Sequence, residues 1–230
     1  MKKFLCFMMA CTFICGAYIK ICGYDVLSIE NFYNTNSYTE GIYIDVTKSD
    51  WFHANVAMAY DYELMKGNGE GIFSPSGNVT IAEAITIATR INNIYNYGET
   101  LYVDVDEEFS AWYTPYVVYA LDSGIIASEY VDYNAPATRA EFAKILANSM
   151  DNVEFTEINY VDDGAIPDVP IDSDCAESVY LLYRAGIIAG SDERGTFYPD
   201  STITRAEAAA IITRMIDPSL RRNIELYGEY

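Results

Sequence analysis

Two arginines stand at the same place in a recurring four-residue phrase, where their side chains could bind an anion. The phrase reads Thr138-Arg139-Ala140-Glu141 and Thr204-Arg205-Ala206-Glu207, and a variant, Thr80-Ile81-Ala82-Glu83, has isoleucine instead of arginine. Thr-x-x-Glu is a capping box, in which the threonine oxygen accepts from a first-turn amide and the glutamate bonds to the amide of the cap. We therefore expect three helices, capped by Thr80 with Glu83, Thr138 with Glu141, and Thr204 with Glu207.

An arginine in the first helical turn needs a reason, because the helix macrodipole disfavours a cation there. A ligand is one reason: a helix N-terminus attracts anions, and a guanidinium adds a bidentate partner for a carboxylate. The alternative is a salt bridge to a nearby aspartate that ties the repeats together. Neither Arg139 nor Arg205 lies on the apolar face of its predicted helix, so we expect substitution by alanine to leave the fold intact. Ile81 predicts that anion binding by repeat one is weakened or lost.

The phrase belongs to a longer unit that occurs three times. Each unit opens with Asp-Val, at Asp45, Asp104 and Asp168, and continues with a helix, a loop, the capped helix and a linker. Apolar residues after each cap follow the spacing of a buried helical face. The predicted fold is mainly α, with three helix-loop-helix repeats at residues 43–96, 97–152 and 153–216. A linker at 18–42 precedes them and a C-terminal tail at 217–230 follows.

The N-terminus is typical of an export signal, with Lys2 and Lys3 followed by apolar residues to Ala17. We predict a signal peptide at 1–17 and no membrane span in the mature chain; an uncleaved anchor is the alternative. Most of the five cysteines lie in or beside this leader and His53 is the single histidine, so neither a disulfide scaffold nor a zinc site is expected. The formal charge of −20 disfavours nucleic acid, and an anionic ligand would need a locally basic pocket.

The repeated pattern resembles the S-layer homology domain. Repeat three carries most of it, in Gly186-Ile187-Ile188-Ala189-Gly190, Phe197-Tyr198-Pro199 and the stretch from Ile203 to Glu207. The resemblance covers roughly residues 43 to 216 and implies a pseudo-threefold helical bundle whose grooves between repeats hold secondary cell wall polysaccharide, often pyruvylated. It implies a secreted protein of the cell wall or S-layer that anchors non-covalently. The alternative is an extracellular scaffold for another surface protein.

Further residues become candidates for polysaccharide binding through this resemblance. Trp51 and Trp112 precede the first helices of repeats one and two, where an aromatic face could stack on a sugar or pack at an edge. The glycines permit a positive φ and close backbone approach to a ligand, or they form turns. The aspartates could orient the arginines, accept sugar hydroxyls or cap local amides. The candidate set is Arg139, Arg205, Asp45, Asp104, Asp168, Trp51, Trp112, Gly67 and Gly190.

No enzyme, cofactor or metal is expected from the sequence. The acidic clusters lack the spacing of an EF-hand loop. No nucleophile elbow, HExxH or P-loop occurs. Paired carboxylates could serve glycoside hydrolysis, but among 34 acidic residues such pairs carry little information. We therefore predict a binding protein with no catalytic residue.

Overall fold

The computed structural model describes residues 28–100 and 111–228. Its α-helices are α1 (His53–Asp61), α2 (Ile81–Tyr97), α3 (Thr114–Asp122), α4 (Arg139–Ala147), α5 (Ala176–Arg184) and α6 (Arg205–Ile216). Short 3-10 helices span Ile29–Asn31, Asn152–Glu154 and Pro218–Leu220, and strands β1 (Tyr160–Val161) and β2 (Glu225–Leu226) pair in parallel. The predicted mainly α class is confirmed. The predicted signal peptide and Asp104 lie outside the described residues.

The second helix of each repeat, α2, α4 or α6, begins at its capping box. In α2, the Thr80 hydroxyl accepts from the Glu83 amide at 3.2 Å and the Glu83 carboxylate accepts from the Thr80 amide at 2.8 Å. The same reciprocal pair opens α4 and α6. The apolar faces that follow are buried, as the spacing predicts. The buried positions include Ala84, Ile87, Ala88, Ile91, Phe142, Ile145, Leu146, Ala208, Ile211, Ile212 and Met215.

The first helix of each repeat packs on the second helix of another repeat. Helix α3 lies on α2, α5 lies on α4, and α1 lies on α6. The contact between α1 and α6 includes a hydrogen bond of 2.8 Å from the side-chain amide of Asn55 to the Thr213 hydroxyl. The helix contacts therefore run in a cycle from one repeat to the next and back to the first.

A closed set of backbone hydrogen bonds joins the segments just before the three caps. The amide of Val79 donates to the Ile203 carbonyl, Ile203 donates to Ala137, and Ala137 donates to Val79, at 3.0, 3.2 and 2.8 Å. All three side chains are buried. Each capped helix is thus tied at its start to both other repeats. The pseudo-threefold symmetry of the whole bundle and the repeat boundaries stay predictions.

Segments on either side of the repeats pack against them. The amides of Thr35 and Asn36 donate to the Asp61 carbonyl at the end of α1, at 2.9 and 3.0 Å. At the other end, the tail from Asp217 onward crosses repeat three and adds β2 to β1. Of the helices in 28–100 and 111–228, none has the length and apolar character needed to cross a membrane.

Candidate functional site

The first-turn amides of the capped helices already have protein partners. In α6 the amides of Arg205 and Ala206 donate to the carbonyls of Gly77 and Pro75, at 2.8 and 3.0 Å. Helix α4 makes the same two bonds to the loop of repeat three, and α2 makes them to the loop of repeat two. The third amide, that of the glutamate, bonds to the capping threonine. These amides are therefore not available to bind an anion, and the N-termini of α2, α4 and α6 cannot serve as the anion site that the helix dipole suggested.

Arg205 is a buried link between repeats three and one. Its side chain is only 4% exposed, and its Nε donates to the Phe73 carbonyl at 2.8 Å. Its Nη1 lies 2.6 Å from Glu83 Oε1, and Nη2 donates to the Lys66 carbonyl. Burial lowers the pKa of Arg205, and the carboxylate of Glu83 opposes this shift. The guanidinium also lies over the Phe73 ring, 4.9 Å from its centroid.

Arg139 links repeats two and three in the same way, with fewer bonds. Its Nε donates to the Phe197 carbonyl at 2.7 Å, and its Nη1 lies 3.3 Å from Glu207 Oε1. For both arginines the ionic partner is the capping glutamate of another repeat, and not an Asp-Val aspartate as the salt-bridge alternative supposed. Both are buried, which argues against the expectation that alanine would leave the fold intact, because each substitution would leave a partly buried carboxylate without its cation.

Asp45 and Asp168 hold the loops that receive these arginines. The two oxygens of Asp45 accept from the amides of Phe73 and Ser74, at 2.8 and 2.7 Å. Asp168 accepts from the equivalent pair, Phe197 and Tyr198, at 2.8 and 2.6 Å. Ser74 and Tyr198 both have a φ of 59°, which is uncommon for residues with a side chain. The aspartates therefore orient the loops whose carbonyls bind Arg205 and Arg139.

Three grooves occupy corresponding places in the repeats. Groove 1, of about 200 Å³, lies between the end of α1 and the face of α2. Arg205 reaches it from repeat three and Trp112 from repeat two, so all three repeats contribute. Its cationic side chains are Lys66, Arg90 and Arg205, against the single carboxylate of Glu83.

Groove 3, of about 290 Å³, is the counterpart in repeat three. Arg139 reaches it from repeat two and Trp51 from repeat one. Arg214 of α6 and Arg222 of the tail add two more cationic side chains, and Glu207 is the carboxylate. Trp51 and Trp112 are 65% and 51% exposed, so neither belongs to the core. Each lies at a groove, where its ring face is available to a ligand.

Groove 2, of about 320 Å³, differs in charge. Its lining has one cationic side chain, Lys144, and the two carboxylates of Glu129 and Glu141. Glu141 forms its capping box, but no ion pair to it occurs in the described part of the chain. Groove 2 is therefore acidic where grooves 1 and 3 are basic.

The difference follows from three positions in the repeat pattern. Ile81 stands where the other phrases have arginine, Asp174 stands where the other repeats have tryptophan, and Asn148 stands where the second helices have Arg90 or Arg214. The start of α2 docks on the loop of repeat two, where the Ile81 amide donates to the Ala135 carbonyl. The lost arginine is therefore associated with groove 2 and not with the groove of repeat one.

Gly67 lines groove 1 and Gly190 lines groove 3. The two positions require glycine for different reasons. Gly190 has a φ of +75°, as expected. Gly67 is not among the residues of positive φ. There a Cβ would lie 2.5 Å from both the Ile72 carbonyl oxygen and the Tyr43 ring. The expectation of a positive φ is wrong for Gly67, which is instead required by close packing.

Sequence reasoning missed four cationic residues of the grooves: Lys66, Arg90, Arg214 and Arg222. A signal for two of them exists, because Arg90 and Arg214 each lie ten positions after their capping threonine. They also lie seven positions after the capping glutamates Glu83 and Glu207, a spacing that returns to the same side of a helix after almost two turns. Lys66 and Arg222 have no counterparts in the other repeats and show no such signal.

Comparison with known proteins identifies two segments of one family. A model of the S-layer homology domain matches residues 43–85 and 165–209. The chain is similar to S-layer protein sap of Bacillus anthracis, 27% identical over 174 residues, and to the Surface-layer 125 kDa protein of Lysinibacillus sphaericus, 27% identical over 169 residues. These alignments cover 74% and 68% of this chain.

The chain spans a small part of these relatives, 20% and 13% of their lengths. Cell surface glycoprotein 1 of Acetivibrio thermocellus is 30% identical over 66% of this chain and 7% of its own length. The family model matches within repeats one and three and does not show the predicted repeat two. These comparisons support a role in cell-surface anchoring. Two segments of the chain thus match the S-layer homology domain, and the relatives to which the chain is similar are S-layer and cell-surface proteins.

Proposed function

We propose that this chain anchors non-covalently to the cell wall by binding an anionic secondary cell wall polysaccharide in grooves 1 and 3. Pyruvylated sugars are the ligands that the sequence resemblance suggests. The observation that carries the proposal is the positive charge of these two grooves. Each has three cationic side chains against one carboxylate, in a chain whose formal charge is −20.

Such a local reversal of charge favours an acidic ligand. The overall negative field would repel a polyanion from most of the surface, so binding must be confined to the basic grooves. In each, one cation is already paired with a capping glutamate, which leaves Lys66 and Arg90, or Arg214 and Arg222, to meet ligand charge. An exposed tryptophan beside them offers a face for a sugar ring.

The candidate residues then divide by role. Trp51 and Trp112 would contact sugar rings directly, whereas Gly67 and Gly190 shape the groove walls, because the space of a side chain at each is filled by the protein itself. Arg139 and Arg205 line the grooves and contribute charge, while their bonds to loop carbonyls also join the repeats. Asp45 and Asp168 position the loops, and we assign the same role to Asp104 from its place in the repeat.

Groove 2 is proposed not to bind the acidic polymer. The arginine, the tryptophan and the later helix arginine are all replaced at its equivalent positions, by Ile81, Asp174 and Asn148. Its surplus carboxylate would repel an acidic sugar. Two binding sites are therefore expected in place of three.

The test is co-sedimentation of the leaderless chain with purified Gram-positive-type cell walls, before and after acid extraction of the secondary polymer. We expect sedimentation with intact walls that is lost after extraction. A Trp51→Ala, Trp112→Ala double variant should bind less, and Tyr33→Ala, which removes an aromatic side chain of similar exposure (55%) outside the grooves, should bind like the parent.

Absence of sedimentation with intact walls would overturn the proposal. Sedimentation that survives extraction would also count against it, since the ligand would then be another wall component. In either case a protein partner at the cell surface would become the leading alternative.

A further inference from the structure

We propose that the C-terminal tail completes groove 3, where Arg222 of the tail and Arg214 of α6 together bind one acidic group of the wall polymer. This inference rests on the proposed function, and it adds to it a residue from outside the repeats. Arg222 lies beyond residues 165–209, the second segment that matches the family model.

The backbone of the tail is held firmly at Arg222. Its amide donates to the Gly186 carbonyl at 2.8 Å, and its carbonyl accepts from the Asn159 side-chain amide at 2.9 Å. The Asn159 side-chain oxygen accepts from the Ile224 amide at 2.9 Å. A Cβ at Gly186 would lie 2.5 Å from the Arg222 carbonyl oxygen, so the close approach of the tail requires glycine there.

The side chain of Arg222 is exposed and lines groove 3, and it also borders a neighbouring pocket with the carboxylates of Asp192, Glu193 and Glu225. The structure shows ion pairs for Arg139 and Arg205 but, within 28–100 and 111–228, none for Arg214 or Arg222. Arg214 is half-buried and donates to the Ile187 carbonyl at 3.1 Å. Burial lowers the pKa of Arg214, and the positive charge of Arg222 lowers it further. An anion between the two guanidiniums would relieve their repulsion and accept charge-assisted hydrogen bonds from both.

The tail also replaces a cation that repeat three lacks. In repeat one, Lys66 precedes Gly67 and lines groove 1. In repeat three the residue before Gly190 is the uncharged Ala189. Arg222 of the tail lines groove 3 beside Ala189 and supplies the positive charge there. Each basic groove thus has a third cation, which comes from the repeat itself in groove 1 and from the tail in groove 3. In repeat two the corresponding residue is Ala127, and among the described residues no tail arginine reaches groove 2.

The experiment measures binding at groove 3 alone, by calorimetric titration with acidic polysaccharide released from Gram-positive-type walls. Groove 1 is first disabled by Arg90→Gln with Trp112→Ala. In that background we expect Arg222→Gln to weaken binding about tenfold, the effect of one lost hydrogen-bonded charge. Arg222→Lys should recover part of the loss. The matched control is Arg194→Gln, which removes the same charge from an exposed loop residue of repeat three that lines no basic groove.

The outcomes separate this inference from the proposed function. If the background chain binds the polymer and Arg222→Gln binds equally well, the tail is not part of the site, while wall binding stands. If Arg194→Gln loses as much affinity as Arg222→Gln, the effect is one of net charge and the inference fails. If the parent chain binds no polymer, both proposals fail. Within residues 28–100 and 111–228 the Arg222 side chain is exposed and forms no ion pair, so loss of folding is not expected, and circular dichroism checks it.

Discussion

Replacement of Arg205 by alanine should destabilise the fold strongly, although Arg205 belongs to the repeated Thr-Arg-Ala-Glu motif and lines groove 1, a proposed binding site. The guanidinium joins α6 of repeat three to the loop and capped helix of repeat one. It bonds to two backbone carbonyls, of Phe73 and Lys66, and to the carboxylate of Glu83. Alanine would remove three bonds at once and leave their acceptors with little access to water.

The magnitude follows from these contacts. Removal of one member of a buried ion pair costs roughly 3–5 kcal/mol. The Glu83 side chain is 26% exposed, so water can partly replace the lost cation, and we expect a loss of about 3 kcal/mol in the free energy of unfolding. For Arg139→Ala we expect about 2 kcal/mol, because its ion pair is longer, at 3.3 Å, and Glu207 is 37% exposed.

Urea unfolding near neutral pH, followed by circular dichroism, measures both losses. The control is Arg194→Ala, an exposed residue whose replacement should change stability by less than about 0.5 kcal/mol. A double-mutant cycle with Glu83→Gln isolates the ion pair, since glutamine can still complete the capping box. We expect the two substitutions to be clearly non-additive.

The reasoning is refuted if Arg205→Ala unfolds at the same urea concentration as the parent. It is also refuted if the double variant loses the sum of the two single losses, because the charges would then be independent. A destabilised variant has a practical consequence: weaker wall binding by Arg205→Ala could not by itself be assigned to a lost ligand contact.

Two further predictions concern the loop held by Asp45 and the pH dependence of folding stability. Asp45→Asn should lower stability by about 1–2 kcal/mol. Aspartate has two acceptor oxygens, one for the Phe73 amide and one for the Ser74 amide, whereas the asparagine side chain has only one. An unchanged urea midpoint would contradict the role of Asp45 in holding the loop. Burial raises the pKa of Tyr95 to about 12, so its hydroxyl favours the folded state fully below about pH 10 and loses this contribution as pH rises to about 12. Between about pH 9 and about pH 11.5 the parent should therefore lose more stability than Tyr95→Phe, and equal losses would contradict the assignment.

Local features of this protein were predictable because their physical cause lies within a few residues. A capping box needs only a threonine and a glutamate three positions apart, and all three helix starts occur where these pairs stand. The buried faces of α2, α4 and α6 follow from the spacing of apolar side chains in the same way. The three predicted repeats and their order along the chain likewise come from the sequence alone.

The site was only partly predictable, because its residues meet across repeats. Arg205 stands beside its own Thr204 and Glu207 in the sequence, yet its ionic partner is Glu83, 122 positions away. Trp112 lies at a groove whose walls belong to repeat one, and Arg222 comes from a tail with no repeat pattern. No local spacing encodes these pairings.

Sequence by itself therefore determined the helices, their caps and the excess of negative charge. Only the tertiary structure decided where the positive charges gather, because the chain closes into a cycle in which the two basic grooves take side chains from several repeats. The substitutions Ile81, Asp174 and Asn148 are far apart in sequence and look unrelated there. Asn148 lines groove 2, the packing docks Ile81 on the loop of repeat two, and Asp174 stands at the repeat position of the two tryptophans. Groove 2 is acidic, whereas grooves 1 and 3 are basic.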